Sequence, residues 1–325
     1  MNSQDDFRPI SGNRILVTGG AGFIGSTIVE ALVPENDVRI LDNLSSGSRS
    51  NVPDKATLIE GDIRDETALE RATNGVDVIF HQAALISVEG SVRRPKLTHD
   101  VNVTATVKLL ERAREESARF VFASSAAVYG HPKSVPISEE APTEPTSPYG
   151  LSKLAAERYV RLYADLYDVS TISLRYFNVY GPGQMSGDYS AVISVFAEQA
   201  LNGKPITVEG DGSQTRDFVH VRDVMEANLL AASADVTGVF NVGTGNSVSI
   251  LELAETVRNV AASDLEIVHV EDRPGDIDQS QADVSRLKSE LGFEPSISLA
   301  DGLETVVGDT ESEALEPSGV DSSRS

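Results

Sequence analysis

The sequence predicts a doubly wound α/β fold, in which helices cover both faces of a parallel sheet and a smaller C-terminal α/β lobe follows. Short apolar runs alternate with helical patterns from Arg14 to Arg175, which is typical of parallel strands joined by helices. The first apolar run leads into a glycine-rich turn, and the strand–helix rhythm changes after Arg175. The 325 residues, of which 40% are hydrophobic, exceed what one minimal domain needs.

The first strand and its turn have the pattern of a phosphate-binding element. The apolar run Arg14–Val17 precedes Thr18-Gly-Gly-Ala-Gly-Phe-Ile-Gly25, and a helix is predicted over Phe23–Leu32. Glycines allow a tight turn and a close approach of backbone to pyrophosphate, while the helix N-terminus binds the anion. The candidate cofactor-binding residues here, of which the glycines follow a G-x-x-G-x-x-G spacing, are Gly19, Gly22, Phe23, Ile24 and Gly25.

The end of the second strand indicates which dinucleotide binds. The strand Val38–Leu41 leads into Asp42, followed by Asn43. A carboxylate at this position can accept hydrogen bonds from a ribose diol and would repel a 2′-phosphate, which favours NAD over NADP. The alternative is that Asp42 only begins a turn.

Two further strands complete the predicted cofactor edge. The run Leu58–Ile63 carries an acidic residue, Asp62, near where an adenine edge would lie. The run Val76–Phe80 is followed by His81 and by small residues, among them Ala83, that let the backbone approach a cofactor. We interpret His81 as a packed strand end rather than a catalytic base.

A serine, a tyrosine and a lysine form the candidate catalytic group. The strand Phe120–Ala123 leads into Ser124 and Ser125, and Tyr149 stands four residues before Lys153. On a helix, residues four apart share one face. A phenol has a pKa of about 10, so it needs a nearby ammonium group or hydrogen bond to act as a base near neutral pH. Strand ends gather at one edge of a parallel sheet, which would bring Ser125 beside Tyr149.

From Arg14 to about Leu303, these motifs resemble the extended short-chain dehydrogenase/reductase family, and within it the NAD-dependent nucleotide-sugar 4-epimerases that act on UDP-glucose and related sugars. The resemblance implies a Rossmann sheet, with Tyr149 as catalytic base, Lys153 on the nicotinamide ribose and Ser125 completing the triad. The remaining cofactor-side positions that it implies are Asp62 and Ile63 at the adenine, Asn102 as a structural or cofactor-facing residue, and Phe177 near the nicotinamide.

The resemblance also implies a substrate site in the second part of the chain. Arg216 and Arg273 match arginines that bind the diphosphate, and two guanidinium groups suit that task because each makes forked, charge-assisted hydrogen bonds. The other matching positions are Asn178 at the sugar phosphate, Val208 at the uracil ring, Asp276 at the nucleotide ribose and Ser280 in the sugar pocket.

Two departures narrow the reaction. Related dehydratases and decarboxylases carry an acidic residue just after the strand-end Ser or Thr, where this chain has Ala126 and Ala127, so elimination is disfavoured. Ser280 matches a position where a large side chain restricts the pocket in some relatives. We therefore predict epimerisation at C4 of UDP-glucose and UDP-galactose, with UDP-GlcNAc and UDP-GalNAc also accepted, through a transient 4-keto sugar. The alternatives are a UDP-uronic acid epimerase or a non-catalytic NAD-binding sensor.

Composition excludes several other classes. The net charge is −23, with 7 lysines and 20 arginines against 50 acidic residues, so nucleic acid is not an expected partner. This surface suggests adaptation to high salt, the alternative being an ordinary acidic enzyme. The chain has no cysteine, and its five histidines show no ligand spacing, so no metal is predicted. We expect a soluble, cytoplasmic protein without a membrane partner.

The predicted organisation assigns residues 1–178 to the NAD-binding domain, with 213–240 packing back on it, and 179–310 mainly to the substrate lobe. Residues 311–325 are acidic and then Ser/Gly-rich, so we expect a disordered tail. The family resemblance implies a homodimer formed through two long helices, Pro95–Arg114 and Tyr149–Asp168.

Overall fold

The computed structural model describes residues 10–184, 192–262, 264–272, 275 and 277–315. Within this part of the chain, seven parallel strands form one sheet in the order β11-β6-β5-β4-β1-β2-β3. They are β1 Arg14–Thr18, β2 Asp37–Asp42, β3 Thr57–Glu60, β4 Val78–His81, β5 Arg119–Ser125, β6 Thr171–Tyr176 and β11 Gly238–Val242. The chain winds from β1 to one edge and then returns past β1 to build the other half, which confirms the doubly wound α/β fold.

Short strand pairs and helices surround this sheet. The pairs are β7 Asn178–Tyr180 with β10 Phe218–His220, β8 Ile206–Glu209 with β13 Ile267–Val270, and β9 Thr215–Arg216 with β12 Val248–Ser249. The helices are α1 Phe23–Leu32, α2 Glu66–Thr73, α3 Val88–Arg93, α4 Pro95–His99, α5 Ala105–Glu116, α6 Pro148–Tyr167, α7 Val192–Leu201, α8 Val221–Ser233, α9 Ile250–Val260, α10 Ser285–Leu291 and α11 Leu299–Leu315. No described helix combines the length and apolar character that a membrane span requires.

Alternating side chains of the central strands build two separate apolar cores. In β1, Ile15 and Val17 belong to the core on one face, where α1, α8 and α10 pack, while Leu16 belongs to the other, where α2, α5 and α6 pack. All three side chains are completely buried. A strand buried on both faces must be apolar along its whole length, which is why Arg14–Thr18 reads as a continuous apolar run after its first residue.

A third core lies outside the sheet and belongs to the smaller lobe. Side chains of α7, α9 and α11 pack there with those of β7, β8 and β10. Between lobe elements the chain returns to the sheet, because α8 packs in the same core as α1 and β11 pairs with β6. Residues that follow one another in sequence therefore alternate between the sheet and the lobe.

Two predicted elements differ from the structure. The expected helix Pro95–Arg114 is helical throughout but contains a π-helical turn, Asp100–Thr104, between α4 and α5. π-Turns insert an extra residue into a helix and often occur at functional sites. The expected disordered tail begins too early at residue 311, because α11 continues to Leu315. A helix that is already nucleated adds residues at low cost, so it can run on past the apolar pattern.

His81 ends β4 inside a buried chain of hydrogen bonds that crosses the sheet edge. Its Nδ1 lies 2.7 Å from the Thr18 hydroxyl, and its Nε2 lies 2.9 Å from the Thr106 hydroxyl. The Thr106 hydroxyl donates to the Asn102 carbonyl, so it accepts from Nε2, and Nδ1 then accepts from Thr18. The imidazole is therefore neutral. Burial, assisted by the charge of Lys153, lowers the pKa of His81 to about 3.

This burial makes His81 a source of acid sensitivity. In the unfolded chain the histidine takes up a proton near its ordinary pKa of 6.5, whereas in the folded chain its pKa is about 3. Stability from neutral His81 is thus complete above 6.5 and is lost as pH falls toward 3. From pH 6.5 to 5 the loss amounts to about 2 kcal/mol.

We expect His81→Asn to remove this component, so that its free energy of unfolding depends less on pH between 6.5 and 5 than that of the unchanged protein. Urea denaturation at several pH values measures both slopes. His131→Asn is the control, because His131 is exposed and its loss should leave the slope unchanged. Equal slopes for His81→Asn and the unchanged protein would contradict the assignment.

Candidate active site

The predicted site residues meet at the carboxyl edge of the central sheet. The glycine turn follows β1, Asp42 ends β2, Ser125 ends β5, and Phe177 follows β6. Neighbours β1 and β4 continue in opposite directions across the sheet, so a crevice opens between the segments that follow them. Among the described residues, no cluster of three or more His, Cys, Asp or Glu side chains could hold a metal ion.

The glycine turn has the close backbone contacts that a dinucleotide site requires. Gly19 has a φ of +69°, and a Cβ at this position would lie 2.7 Å from the Ala83 nitrogen in the segment after β4. A Cβ on Gly25 would collide with the carbonyl oxygen of Gly19. Helix α1 begins after Gly22 without a side-chain cap, so no side chain competes with an anion for its first N–H groups. Phe23 and Ile24 open this helix, and the turn fits a bound pyrophosphate.

Asp42 is positioned by the glycine turn itself. Its Oδ2 accepts a hydrogen bond from the Ala21 N–H at 3.0 Å, and its Oδ1 accepts one from the Leu44 N–H at 2.8 Å. Each carboxylate oxygen keeps a further lone pair, so the group can still receive the two hydroxyls of a ribose. Asn43 Oδ1 accepts the Ser45 N–H at 3.1 Å. The pKa of Asp62 is held below its usual range, chiefly by the Arg64 side chain.

The structure adds detail to two cofactor-side predictions. Ile63 is buried in the core shared with α2, so its backbone rather than its side chain is available to an adenine. The Asn102 side chain, in the π-helical turn, donates to the Leu85 carbonyl and the Ser152 hydroxyl, both at 3.0 Å, and accepts from the Leu85 N–H. Its amide hydrogens are used inside the protein, which favours the structural role over cofactor contact.

The Ser125 and Tyr149 side chains lie close enough for the Ser125 hydroxyl to influence the ionisation of the phenol. The Ser125 hydroxyl oxygen also accepts the Ala127 N–H at 3.2 Å. Because Ser125 accepts from the backbone, its own hydrogen is available to the tyrosine oxygen. Burial raises the pKa of Tyr149, and the Ser125 hydroxyl partly offsets this rise. Ser125 therefore favours the phenolate form that a base must reach.

Lys153 follows Tyr149 by one turn on α6 and is almost completely buried. Its Nζ donates to the Ala123 carbonyl at 2.8 Å and lies 5.2 Å from the centre of the Phe122 ring. Burial lowers the pKa of Lys153 to about 7. Its ammonium group is thus held near the strand end by one carbonyl and one ring face, and it gains or loses its proton near neutral pH.

The sugar side of the site converges on a buried carboxylate that follows Arg216. Asp217 is completely buried, and its carboxylate accepts hydrogen bonds from the Thr244 N–H and hydroxyl, the Gly245 N–H and the Ala282 N–H, between 2.7 and 3.0 Å. Burial raises its pKa. Asp217 thereby holds the turn after β11 and the segment near Ser280 against Arg216.

Arg216 and Ser280 meet in this region. Arg216 Nη1 donates to the Ile277 carbonyl at 2.6 Å, and the Ser280 N–H donates to the Thr215 carbonyl at 3.1 Å. Arg273 and Asp276, the other half of the predicted diphosphate and ribose contacts, lie outside the described residues.

The remaining cofactor-side and substrate-side predictions differ in how far the structure exposes their side chains. Asn178 is exposed at the carboxyl end of β6, while Phe177 is mostly buried with its ring 6.4 Å from that of Tyr129. Val208 requires correction: its side chain is completely buried in the lobe core, so it has no surface to offer a uracil ring. A valine in the middle of a short strand points inward or outward by register, which the motif alone did not fix.

Comparison with known proteins agrees with this geometry. The model of the NAD-dependent epimerase/dehydratase family matches residues 15–243. The UDP-glucose 4-epimerase of Mycolicibacterium smegmatis is 40% identical over 305 residues, which cover 90% of this chain and 97% of that protein.

Two solved structures share the fold. The UDP-N-acetylglucosamine 4-epimerase of Methanobrevibacter ruminantium M1, in complex with UDP-N-acetylmuramic acid, has a TM-score of 0.91 and 38% identity, covering 94% of this chain and all of that one. The UDP-glucose 4-epimerase of Thermus thermophilus, in complex with NAD, has a TM-score of 0.85 and 38% identity, covering 92% and 99%. The predicted cofactor, NAD, is confirmed, and the chain belongs to the NAD-dependent epimerase/dehydratase family.

Proposed function

We propose that this protein interconverts UDP-hexoses by inverting the configuration at C4, with UDP-glucose and UDP-galactose as one substrate pair. The observation that carries the proposal is the grouping of Ser125 at the end of β5 with Tyr149 and Lys153 on α6, at the sheet edge that also bears the glycine turn. The names of the similar proteins support a UDP-sugar as substrate.

The triad accounts for the proton transfers of such a reaction. Tyr149 takes the proton of the C4 hydroxyl and later returns it, while Ser125 donates to the phenolate and orients the sugar oxygen. Lys153, when charged, favours the phenolate. When bound, NAD supplies the reversible hydride acceptor that converts C4 to a ketone and back. Return of the reducing equivalent to the opposite face of the turned 4-keto sugar inverts C4.

The same segment argues against elimination reactions. Ser125 caps a short 3₁₀ turn formed by Ala126–Val128, and the two alanines carry no group that could donate a proton to a leaving hydroxyl. A dehydratase or decarboxylase needs that additional acid. A UDP-uronic acid epimerase uses the same proton transfers and is the second candidate, whereas a non-catalytic NAD sensor would have no use for the grouped serine and tyrosine.

Replacing the proposed base should abolish turnover. We expect Tyr149→Phe to lower kcat by about 10²- to 10⁴-fold, because no other group takes the C4 hydroxyl proton. The measurement is chromatographic assay of a panel of UDP-sugars, including a UDP-uronic acid, without added cofactor. Tyr159→Phe is the matched control, since Tyr159 lies exposed on the same helix. Undiminished turnover in Tyr149→Phe would remove the proposed base.

The sugar pocket should accept an N-acetyl group. Ser280 is small and mostly buried beside the Arg216 segment, so a larger side chain there would occupy space at C2 of the sugar. We expect the protein to interconvert UDP-GlcNAc and UDP-GalNAc, and Ser280→Tyr to lose this pair while keeping the UDP-glucose pair. Steady-state assays of both pairs measure it. Equal losses for both pairs would show that Ser280 does not determine pocket size.

We also propose that two copies pair through α6. Most of the large apolar side chains that the described residues expose lie on this helix or on the neighbouring α3: Val88, Val92, Leu151, Tyr159, Leu162, Leu166 and Tyr167. Leu151, Leu162 and Leu166 share one side of α6, opposite the side that carries Lys153. A second copy of the same stripe is a suitable partner, because a twofold interface brings identical surfaces together.

Charged substitutions in the stripe should separate the copies. We expect the protein to elute as a dimer, and Leu162→Glu combined with Leu166→Glu to give monomers, because buried carboxylates without partners are costly. Size-exclusion chromatography with light scattering measures the mass. Val270→Glu is the control, since Val270 is exposed on lobe strand β13. A monomeric unchanged protein would contradict the proposal.

Three sequence-based assignments stay predictions: adaptation to high salt, a cytoplasmic location and the absence of nucleic-acid partners. The net charge of −23 supports the first and third of them.

A further inference from the structure

A buried ion pair lies behind the strand-end serines, and the proposed proton transfers do not use it. Glu157 on α6 and Arg175 on β6 are only 2% and 3% exposed. Arg175 Nε donates to Glu157 Oε2 at 2.9 Å, and its Nη2 donates to Oε1 at 2.6 Å. This forked arrangement is the strongest geometry available to such a pair. It keeps both charges compensated away from water, where either one alone would be very unfavourable.

Glu157 stands on the same side of α6 as the catalytic residues. It follows Lys153 by four residues and Tyr149 by eight, so the three side chains are aligned along the helix face that meets the sheet. Its Oε2 also accepts a hydrogen bond from the Ser124 hydroxyl at 2.7 Å. Ser124 is completely enclosed and immediately precedes Ser125. Glu157 therefore ties α6 to β5 one residue away from the contact between Ser125 and Tyr149.

Arg175 extends these contacts toward the sugar side. Its Nη1 donates to the Tyr129 hydroxyl at 2.8 Å, and that hydroxyl donates to Asn241 Oδ1 at 2.6 Å. Asn241 Nδ2 donates in turn to the Asp283 carbonyl at 3.3 Å, three residues after Ser280. One buried network thus spans the catalytic helix, three sheet strands and the segment that borders the proposed sugar pocket.

We propose that Glu157 is a positioning residue of this active site: held by Arg175, it fixes Ser124 and thereby orients the Ser125 hydroxyl toward Tyr149. The inference rests on the function proposed above for Tyr149. Ser125 is the last residue of β5, and the Ser124 hydroxyl links the residue immediately before it to α6. Loss of that link leaves Ser125 free to move by a fraction of an ångström, which is enough to weaken a hydrogen bond.

A shift of Ser125 should be visible in the ionisation of Tyr149. The Ser125 hydroxyl lowers the pKa of Tyr149 against the burial that raises it, so a weaker interaction means a higher pKa. The other titratable groups around the triad are Lys153 and Glu157 on α6, His81 at the end of β4, and Arg175 and Tyr129 beyond Ser124. None of these is altered chemically by replacing Ser124.

The test compares two variants that each lose one buried hydroxyl between the sheet and α6. Ser124→Ala removes the bond to Glu157, and Thr171→Val removes a bond from Thr171 Oγ1 to the Val160 carbonyl. Thr171 begins β6, at the edge of the sheet away from Ser125. Each variant loses one buried hydrogen bond between the sheet and α6, and the bond to Glu157 is the shorter, charge-assisted one. The pKa of Tyr149, rather than overall stability, is therefore the readout that separates a positioning role from a structural one.

For Ser124→Ala we expect kcat to fall about tenfold with KM little changed, and the acidic limb of the pH profile of kcat to move to higher pH. Ultraviolet difference titration against Tyr149→Phe should give a higher pKa for Tyr149 in the Ser124→Ala background. Thr171→Val should leave both pKa readouts where they are. The titration needs no substrate, so it tests the positioning role even if the sugar assigned here is wrong.

Two results would overturn the proposal. One is an unchanged pH profile and titration in Ser124→Ala. The other is an equal shift in Thr171→Val, which would show that any loss of contact between α6 and the sheet has this effect.

Discussion

The sheet-facing side of α6 sets the constraint on which the site depends. Tyr149, Lys153 and Glu157 occupy successive turns on that side, and the last two are charged groups in an otherwise apolar interface. Each has partners at the strand ends: Ala123 for the lysine, Ser124 and Arg175 for the glutamate. If the helix moved along or around its axis, at least one of these buried charges would lose its partner. The position of Tyr149, the proposed base, is therefore fixed by the cost of leaving its two buried neighbours without their partners.

The glycine turn is fixed by a different physical cause, which is lack of space. Gly19, Gly25 and the Ala83 segment approach so closely that a single Cβ would separate them. Such a contact brings the segments after β1 and β4 together at the point where the chain reverses across the sheet. The glycine turn and the segment after β4 are therefore joined at the carboxyl edge of the sheet. The buried hydrogen bonds from Thr18 through His81, the last residue of β4, lie at the same edge.

The parts of the molecule that sequence predicts well are those set by local pattern. The spacing of Gly19 to Gly25, the helix from Phe23 and the pairing of Tyr149 with Lys153 on α6 all depend on residues within one turn or strand. The fold class follows from repeating that pattern. The expectation that Ser125 lies near Tyr149 also follows from such a pattern, because the carboxyl ends of parallel strands meet at one edge of the sheet.

The features that the sequence could not predict depend on strand register and on partners that are distant in the chain. Helical spacing places Glu157 on the same face of α6 as Tyr149 and Lys153, but its partner Arg175 lies on β6, which no local pattern predicts. Asp217 accepts hydrogen bonds from segments 27 and 65 residues away in the sequence, and no local sequence pattern predicts those partners. The Val208 side chain faces the lobe core, and the Asn102 amide donates its hydrogen bonds to Leu85 and Ser152. Neither the direction of the valine nor the partners of the asparagine can be read from the sequence.

Tyr149 is the second residue of a twenty-residue helix that begins at Pro148. The aligned peptide dipoles of a helix give its first turn partial positive charge, which favours a nearby anion by about 0.3–1 kcal/mol. Unlike the ammonium of Lys153, which is lost as pH rises past about 7, this contribution comes from the backbone and cannot titrate. The phenolate oxygen therefore keeps some electrostatic support in alkaline solution, where its lysine neighbour has become neutral.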